Sequence, residues 1–188
     1  MRRTILPLIL LLTSTISIAE SNNDRFENAY NYLESGIGTV KIDGVGNGLY
    51  LSLGGSGTFG NFIINGQFSL DIDSSSTPKV SRLGFGYLWR LNNQAEIIIG
   101  YNVSKIDLTL DSGGSGTVDE DAINLGFSSY LSDNSSATVS LSVPVTGGGS
   151  VGFGFAGNYW LNDSTAIHFG YEPNTGGSST SLTLRFRL

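Results

Sequence analysis

The chain has 188 residues, 14% of them charged, with a formal net charge of −6 and no cysteine. That length suffices for one domain, and the absence of cysteine excludes both a disulfide framework and a lipid anchor on an N-terminal Cys. An acidic chain with scattered Lys and Arg argues against nucleic acid as a partner.

Residues 1–19 read as a secretory signal peptide. Arg2 and Arg3 supply the positive start, and Ile5 to Leu12 form a short apolar run. Ser17-Ile18-Ala19 offers small residues at both cleavage-determining positions, so cleavage is expected after Ala19. The run ends at Thr13-Ser14-Thr15, well short of the roughly 20 apolar residues that a spanning helix needs. Losing Arg2 and Arg3 takes the net charge of −6 down by two, to −8. Residues 20–29 are polar and read as a periplasmic lead-in.

From Tyr30 onward the signal is period-two alternation, set among 26 Gly and only four Pro. Strands are expected over 30–42 and 48–54, with 55–58 turning the chain. Strand 59–72 puts Phe62, Ile64, Phe68 and Leu70 on one side and Asn65, Gln67 and Ser69 on the other. Strands 80–91 and 95–110 form a hairpin around Asn92–Asn93, and 111–118 reads as a Gly/Ser loop. In the fifth strand the apolar set moves from odd positions (Ile97, Ile99, Val103) to even ones (Ile106, Leu108). A β-bulge near Ser104–Lys105, or emergence from a membrane, would account for that. Strands follow over 121–131, 136–145, 150–161 and 165–172. A loop over 173–177 precedes the last strand, 178–188.

These segments make ten strands, or eight if those before Phe59 do not both form. The architecture expected is a closed, antiparallel, up-and-down transmembrane β-barrel over 30–188. The alternation reads as inside-out. The polar face is mostly Ser, Gly, Asn and Thr, which suit a narrow lumen, and the charge content is low for a water-exposed surface. Turns at 92–93, 133–134 and 162–163 share an aromatic shoulder, namely Tyr87 and Trp89, Tyr130, and Tyr159 with Trp160. Amphipathic rings favour the membrane–water boundary, so these five are expected to form one girdle at the periplasmic end. Charged residues on the polar parity are Glu34, Arg82, Arg90, Glu96, Glu172, Arg185 and Arg187, with His168 beside them. Enclosed charges need partners, and closure sets the last strand beside the first. A lumen network is therefore expected, with Arg185 or Arg187 near Glu34, plugging the barrel; the alternative is that these charges sit at the lumen mouths in water.

Three stretches, GYLWRLNNQAEIIIGYN, NYWLNDSTAIHFGYE and the terminal SLTLRFRL, resemble the small outer-membrane β-barrel proteins of Gram-negative bacteria, the OmpA/OmpX-like group. The resemblance covers about 30–188. It implies an outer-membrane location, contact with outer-membrane lipid and lipopolysaccharide, and insertion by the barrel-assembly machinery. Roles in the group range over structural stabilisation, adhesion, small pores and lipid-modifying enzymes. Members typically end in an aromatic residue; here Phe186 stands two positions before Leu188.

No catalytic, cofactor or metal site is expected. His168 is the only histidine, with Glu172 on the same face, and the pair has no nucleophile beside it. Lipid-deacylating barrels carry His-x-Ser, whereas this chain has His168-Phe169-Gly170. Gly152 to Gly157 match G-x-G-x-x-G, but a strand follows where dinucleotide binding requires a helix. The acidic residues toward the loop ends, Asp107 and Asp119-Glu120-Asp121 among them, show no calcium-loop spacing. The leading expectation is a structural or interaction barrel with a largely filled polar lumen. The alternatives are a narrow small-solute pore and, less favoured, a lipid-modifying enzyme or a soluble periplasmic β-protein.

Overall fold

The computed structural model describes residues 30–42, 46–72, 79–109, 115–146, 150–174 and 177–188. The expected signal peptide, lead-in and cleavage site lie outside them. Ten strands appear among the described residues: β1 (Tyr32–Ile42), β2 (Gly46–Phe59), β3 (Phe62–Asp71), β4 (Lys79–Arg90), β5 (Ala95–Thr109), β6 (Ser115–Ser132), β7 (Ser135–Pro144), β8 (Gly152–Asn162), β9 (Thr165–Asn174) and β10 (Gly177–Arg187). Each pairs antiparallel with its neighbours in sequence, and β1 pairs with β10 to close the barrel. The eight-strand alternative falls away, because both segments before Phe59 form strands.

Several boundaries differ from those the sequence suggests. Residues 55–58 are not a turn. β2 runs through them in register with β3, and the chain reverses at Gly60–Asn61, where Gly60 adopts φ +60°. That left-handed geometry is readily open to glycine. β6 begins at Ser115, inside the expected 111–118 loop, and β9 runs on to Asn174. No bulge interrupts β5 at Ser104–Lys105, where pairing with both β4 and β6 is continuous. The parity change has the other cause. Crossing a bilayer takes about 9–11 tilted residues, whereas β5 has 15 and β6 has 18. Beyond Val103 the outward positions pass to exposed Lys105 and Asp107, paired in register with Asp119 and Lys79 respectively. The apolar belt therefore ends there, and these strands continue into water.

The alternation sorts side chains as an inside-out barrel requires. Leu83, Phe85, Tyr87 and Trp89 of β4 are exposed, while Val80, Arg82 and Leu88 of the opposite parity are buried. Ile37, Leu53, Leu125, Val139, Phe153, Phe169 and Leu182 extend the apolar exterior to the other strands. Inside, the small polar residues Ser52, Ser69, Ser128, Thr138, Ser142 and Ser181 are all buried. Gly38 shows why glycine lines a narrow lumen. A Cβ there would lie 2.2 Å from the Tyr50 ring and 2.7 Å from the Thr180 carbonyl oxygen, so Tyr50 fills the space that Gly38 vacates.

Leu182 lies at the middle of β10 and faces outward. Leu182→Arg should reduce the stability of the barrel folded in phospholipid vesicles by about 2–4 kcal/mol, the range for a cation on a lipid face near the bilayer midplane. Ser181→Arg should fail differently, by overfilling the lumen. Urea titrations of vesicle-inserted protein measure both.

Candidate functional site: a packed ionic lumen

The seam between first and last strand sets Glu34 directly opposite Arg185, and alternation turns both inward. Arg185 Nε donates to Glu34 Oε2 at 2.7 Å, and Nη1 donates to Asn158 Oδ1 at 3.0 Å. Thr183 Oγ1 donates to the same Glu34 oxygen at 3.4 Å. The Arg185 guanidinium also lies 4.3 Å from the centre of the Tyr32 ring, a cation–π distance. Arg185 is 0% exposed. An ion in such a place is tolerated only when paired and hydrogen-bonded, and this one is held from three sides.

Asn158 extends the network along the wall to β7 and β9. Its Nδ2 donates to Ser136 Oγ at 3.1 Å, and its Oδ1 lies 3.0 Å from His168 Nδ1. His168 is buried here within a hydrogen-bonded wall. The side chain of Glu172, its expected companion, lies outside the described residues.

A second cluster fills the tight-turn end of the lumen. Tyr30, Ile63, Leu88 and Tyr130 pack together with Ile98 against them, and the Tyr30 hydroxyl donates to Glu96 Oε1. Glu96 sits opposite Arg90 in the β4–β5 register. Arg187 lies 4.5 Å from the Trp160 ring centre. A third charged group lies further toward the loop end, where Arg82 Nε donates to Ser104 Oγ at 3.1 Å. Ser104 in turn sits opposite Glu120, whose charge interacts with that of Arg82.

The expected lumen residues thus fall into three places rather than one network. Glu34, Arg185 and His168 come together through Asn158, Arg90 and Glu96 flank the Tyr30 cluster, and Arg82 joins Glu120. The aromatic girdle needs correction. Tyr87, Trp89 and Tyr159 are exposed on the outer face, but Tyr130 and Trp160 are buried in the lumen. Tyr159 and Trp160 are adjacent in a strand, so they cannot share a face. Tyr30, Tyr32 and Asn158 belong to the lumen without having been singled out from the sequence, and Glu120 belongs there although the sequence grouped it with the loop-end acids. Their even parity with Glu34 on β1, with Ala156 on β8 and with Ala122 on β6 is the signal that marks them. Glu120 is not in a solvated acidic loop. Gly152 and Gly154 lie on β8 with Phe153 and Phe155 exposed between and after them, and no helix follows.

No protein-family model matches the sequence, and no curated protein is similar to it. Among solved structures the fold is similar to that of the KdgM porin in complex with disordered oligogalacturonate. The TM-score is 0.51 and the identity 8%, over 84% of this chain and 99% of that one. It is also similar to the NanC porin, with TM-score 0.50 and 9% identity, over 83% of this chain and all of the other. At these identities the likeness concerns the fold.

Glu34→Ala leaves Arg185 buried without its carboxylate and should lower folding stability in vesicles by about 3–5 kcal/mol. The double variant Glu34→Leu/Arg185→Met removes both charges while keeping volume. It should recover most of that loss in the same urea titration.

Proposed function

We propose that this chain is an integral outer-membrane β-barrel with a structural or interaction role, and that its lumen is too full to conduct. The observation that carries this reading is the burial of large side chains at several levels of the inner wall, although Asn65, Gln67, Asn102 and Asn124 there are half-buried. Arg185, Tyr30 and Glu96 are 0% exposed, and Tyr32 and Leu88 1%. A continuous water column would leave the side chains beside it accessible. The outer-membrane location is supported by the apolar exterior on a closed barrel, since a bilayer admits a β-structure only when no edge is left unpaired. Outer-membrane lipid and lipopolysaccharide would be its surroundings, and the barrel-assembly machinery its route of insertion. The reading assigns no enzymatic activity, cofactor or metal. His168 is sealed among lumen side chains, away from any lipid substrate.

A second reading, a narrow small-solute pore, is favoured by one observation: the fold neighbours are described as porins, one of them bound to an oligosaccharide. Under it, the Tyr30–Leu88–Tyr130 cluster would be a closed gate.

Planar-bilayer recording separates the two. The purified wild-type barrel is expected to give no conductance steps. Steady steps from the wild type would instead favour the pore.

A further inference from the structure

On the outer wall of β2 to β6, near the tight turns, a concave groove of about 710 Å³ opens to the exterior. That volume falls in the roughly 300–1,000 Å³ range of ligand pockets. Its sides are two ridges of outward side chains running across the strands. One ridge carries Phe62, Tyr87 and Ile99, in register on three neighbouring strands. The other, two residues further along each strand, carries Ile64, Phe85 and Tyr101. Aromatic contacts stiffen both ridges: the Phe62 and Tyr87 rings meet edge-on at 5.4 Å between centroids, and those of Phe85 and Tyr101 at 5.5 Å. Between the ridges the floor is backbone, where Gly86 pairs with Gly100. At one end the second ridge stops at Gly57, the register partner of Ile64, so the groove is open there.

We infer that this groove is a binding site for one acyl chain of a phospholipid in the periplasm-facing leaflet. The inference rests on the proposed membrane location. Three observations choose the occupant. The groove is continuous with the lipid-facing belt, and no charged side chain lies among the described residues that line it. Its ridges stand two residues apart, about 6.8 Å, which suits one polymethylene chain and not a partner helix about 10 Å across. The polar groups at its tight-turn end suit the headgroup level: Asn61 Nδ2 donates to the Tyr87 hydroxyl at 3.1 Å, and Asn31 Oδ1 accepts from the Thr58 amide at 2.8 Å. The remaining belt is covered by exchanging lipid, whereas a chain in this groove is contacted from both sides and below.

The full mature barrel is reconstituted in vesicles of phosphatidylethanolamine and phosphatidylglycerol carrying a phospholipid with a photoactivatable diazirine on one acyl chain. Labelled residues are mapped by peptide mass spectrometry. Labelling is expected to concentrate on 57–64 and 85–101 and to fall several-fold there in Gly57→Leu, which closes the open end. A Cβ at 57 has only Asn31 Oδ1 within reach, at 3.8 Å, so the strand accommodates it. Tyr101→Ala, which removes part of a ridge, serves as the second variant, and Leu182→Ala, outside the groove, should change nothing. Labelling spread evenly around the belt, or concentrated labelling that neither groove variant reduces, would overturn the proposal while leaving the barrel's membrane location intact. Sedimentation of the solubilised barrel as a dimer that Gly57→Leu disrupts would overturn it in favour of self-association. Failure of the wild type to insert would instead overturn the membrane reading on which it rests.

Discussion

The Arg185–Glu34 pair sits where the first and last strands meet, and closure brings its two halves together. A sheet in a bilayer has no option of leaving an edge open, because unpaired backbone groups find no water there. The eleven-residue register between β1 and β10 satisfies that constraint. It also places a cation beside a carboxylate in a volume that neither could occupy alone. Thr183, Asn158 and the Tyr32 ring complete the cation's surroundings. Backbone closure and charge pairing thus happen at one line. A one-residue slip of either strand there would turn its half of the pair, Glu34 or Arg185, out to hydrocarbon along with the other inward residues of that strand.

Around that seam the lumen changes character along its length. At the tight-turn end it is filled by large rings and aliphatic side chains, with Glu96 bound to Tyr30. Further along, hydroxyls and glycines stand among larger buried side chains such as Arg185 and Tyr50. Large residues inside need glycine opposite them, as Tyr50 needs Gly38. The inside is therefore a largely polar lining with buried charges, and the outside an apolar surface. The exterior is not uniform either, since register lines up aromatic pairs into ridges on β3 to β5 and leaves a trough between them.

Much of this is legible in the sequence, and the failures have physical reasons. The run from Ala137 to Val145 alternates without exception, and Tyr87–Trp89 with Ile97–Ile99 marks a hairpin whose outer face is apolar. The inward position of Arg82, Glu96 and Arg185 follows from parity, whereas the apolar pattern of the first strand leaves that of Glu34 open. Assignments made by residue type did less well. Trp160 and Tyr130 look like interfacial aromatics, yet their neighbours Tyr159 and Leu131 hold the outward positions. Gly55 to Thr58 and Ser115 to Val118 look like turns because Gly, Ser and Thr are also what a narrow lumen and an aqueous extension use. Strand segments outside the lipid belt have no apolar rhythm to announce them. The contact of Asn158 with both His168 and Arg185 depends on register across three strands, which composition does not encode.

The chain contains two tryptophans, and they report on opposite sides of the same wall: Trp89 is 59% exposed on the exterior and Trp160 3% exposed in the lumen. Fluorescence quenching of the single-tryptophan variants Trp160→Phe and Trp89→Phe in vesicles tests the inside-out, packed-lumen arrangement most directly. The account predicts that Trp89 is quenched by brominated acyl chains and not by aqueous iodide, and that Trp160 is quenched by neither. Iodide quenching of Trp160 would reveal a wet lumen, and quenching of Trp160 but not Trp89 by the brominated lipid would invert the barrel; either result contradicts the account.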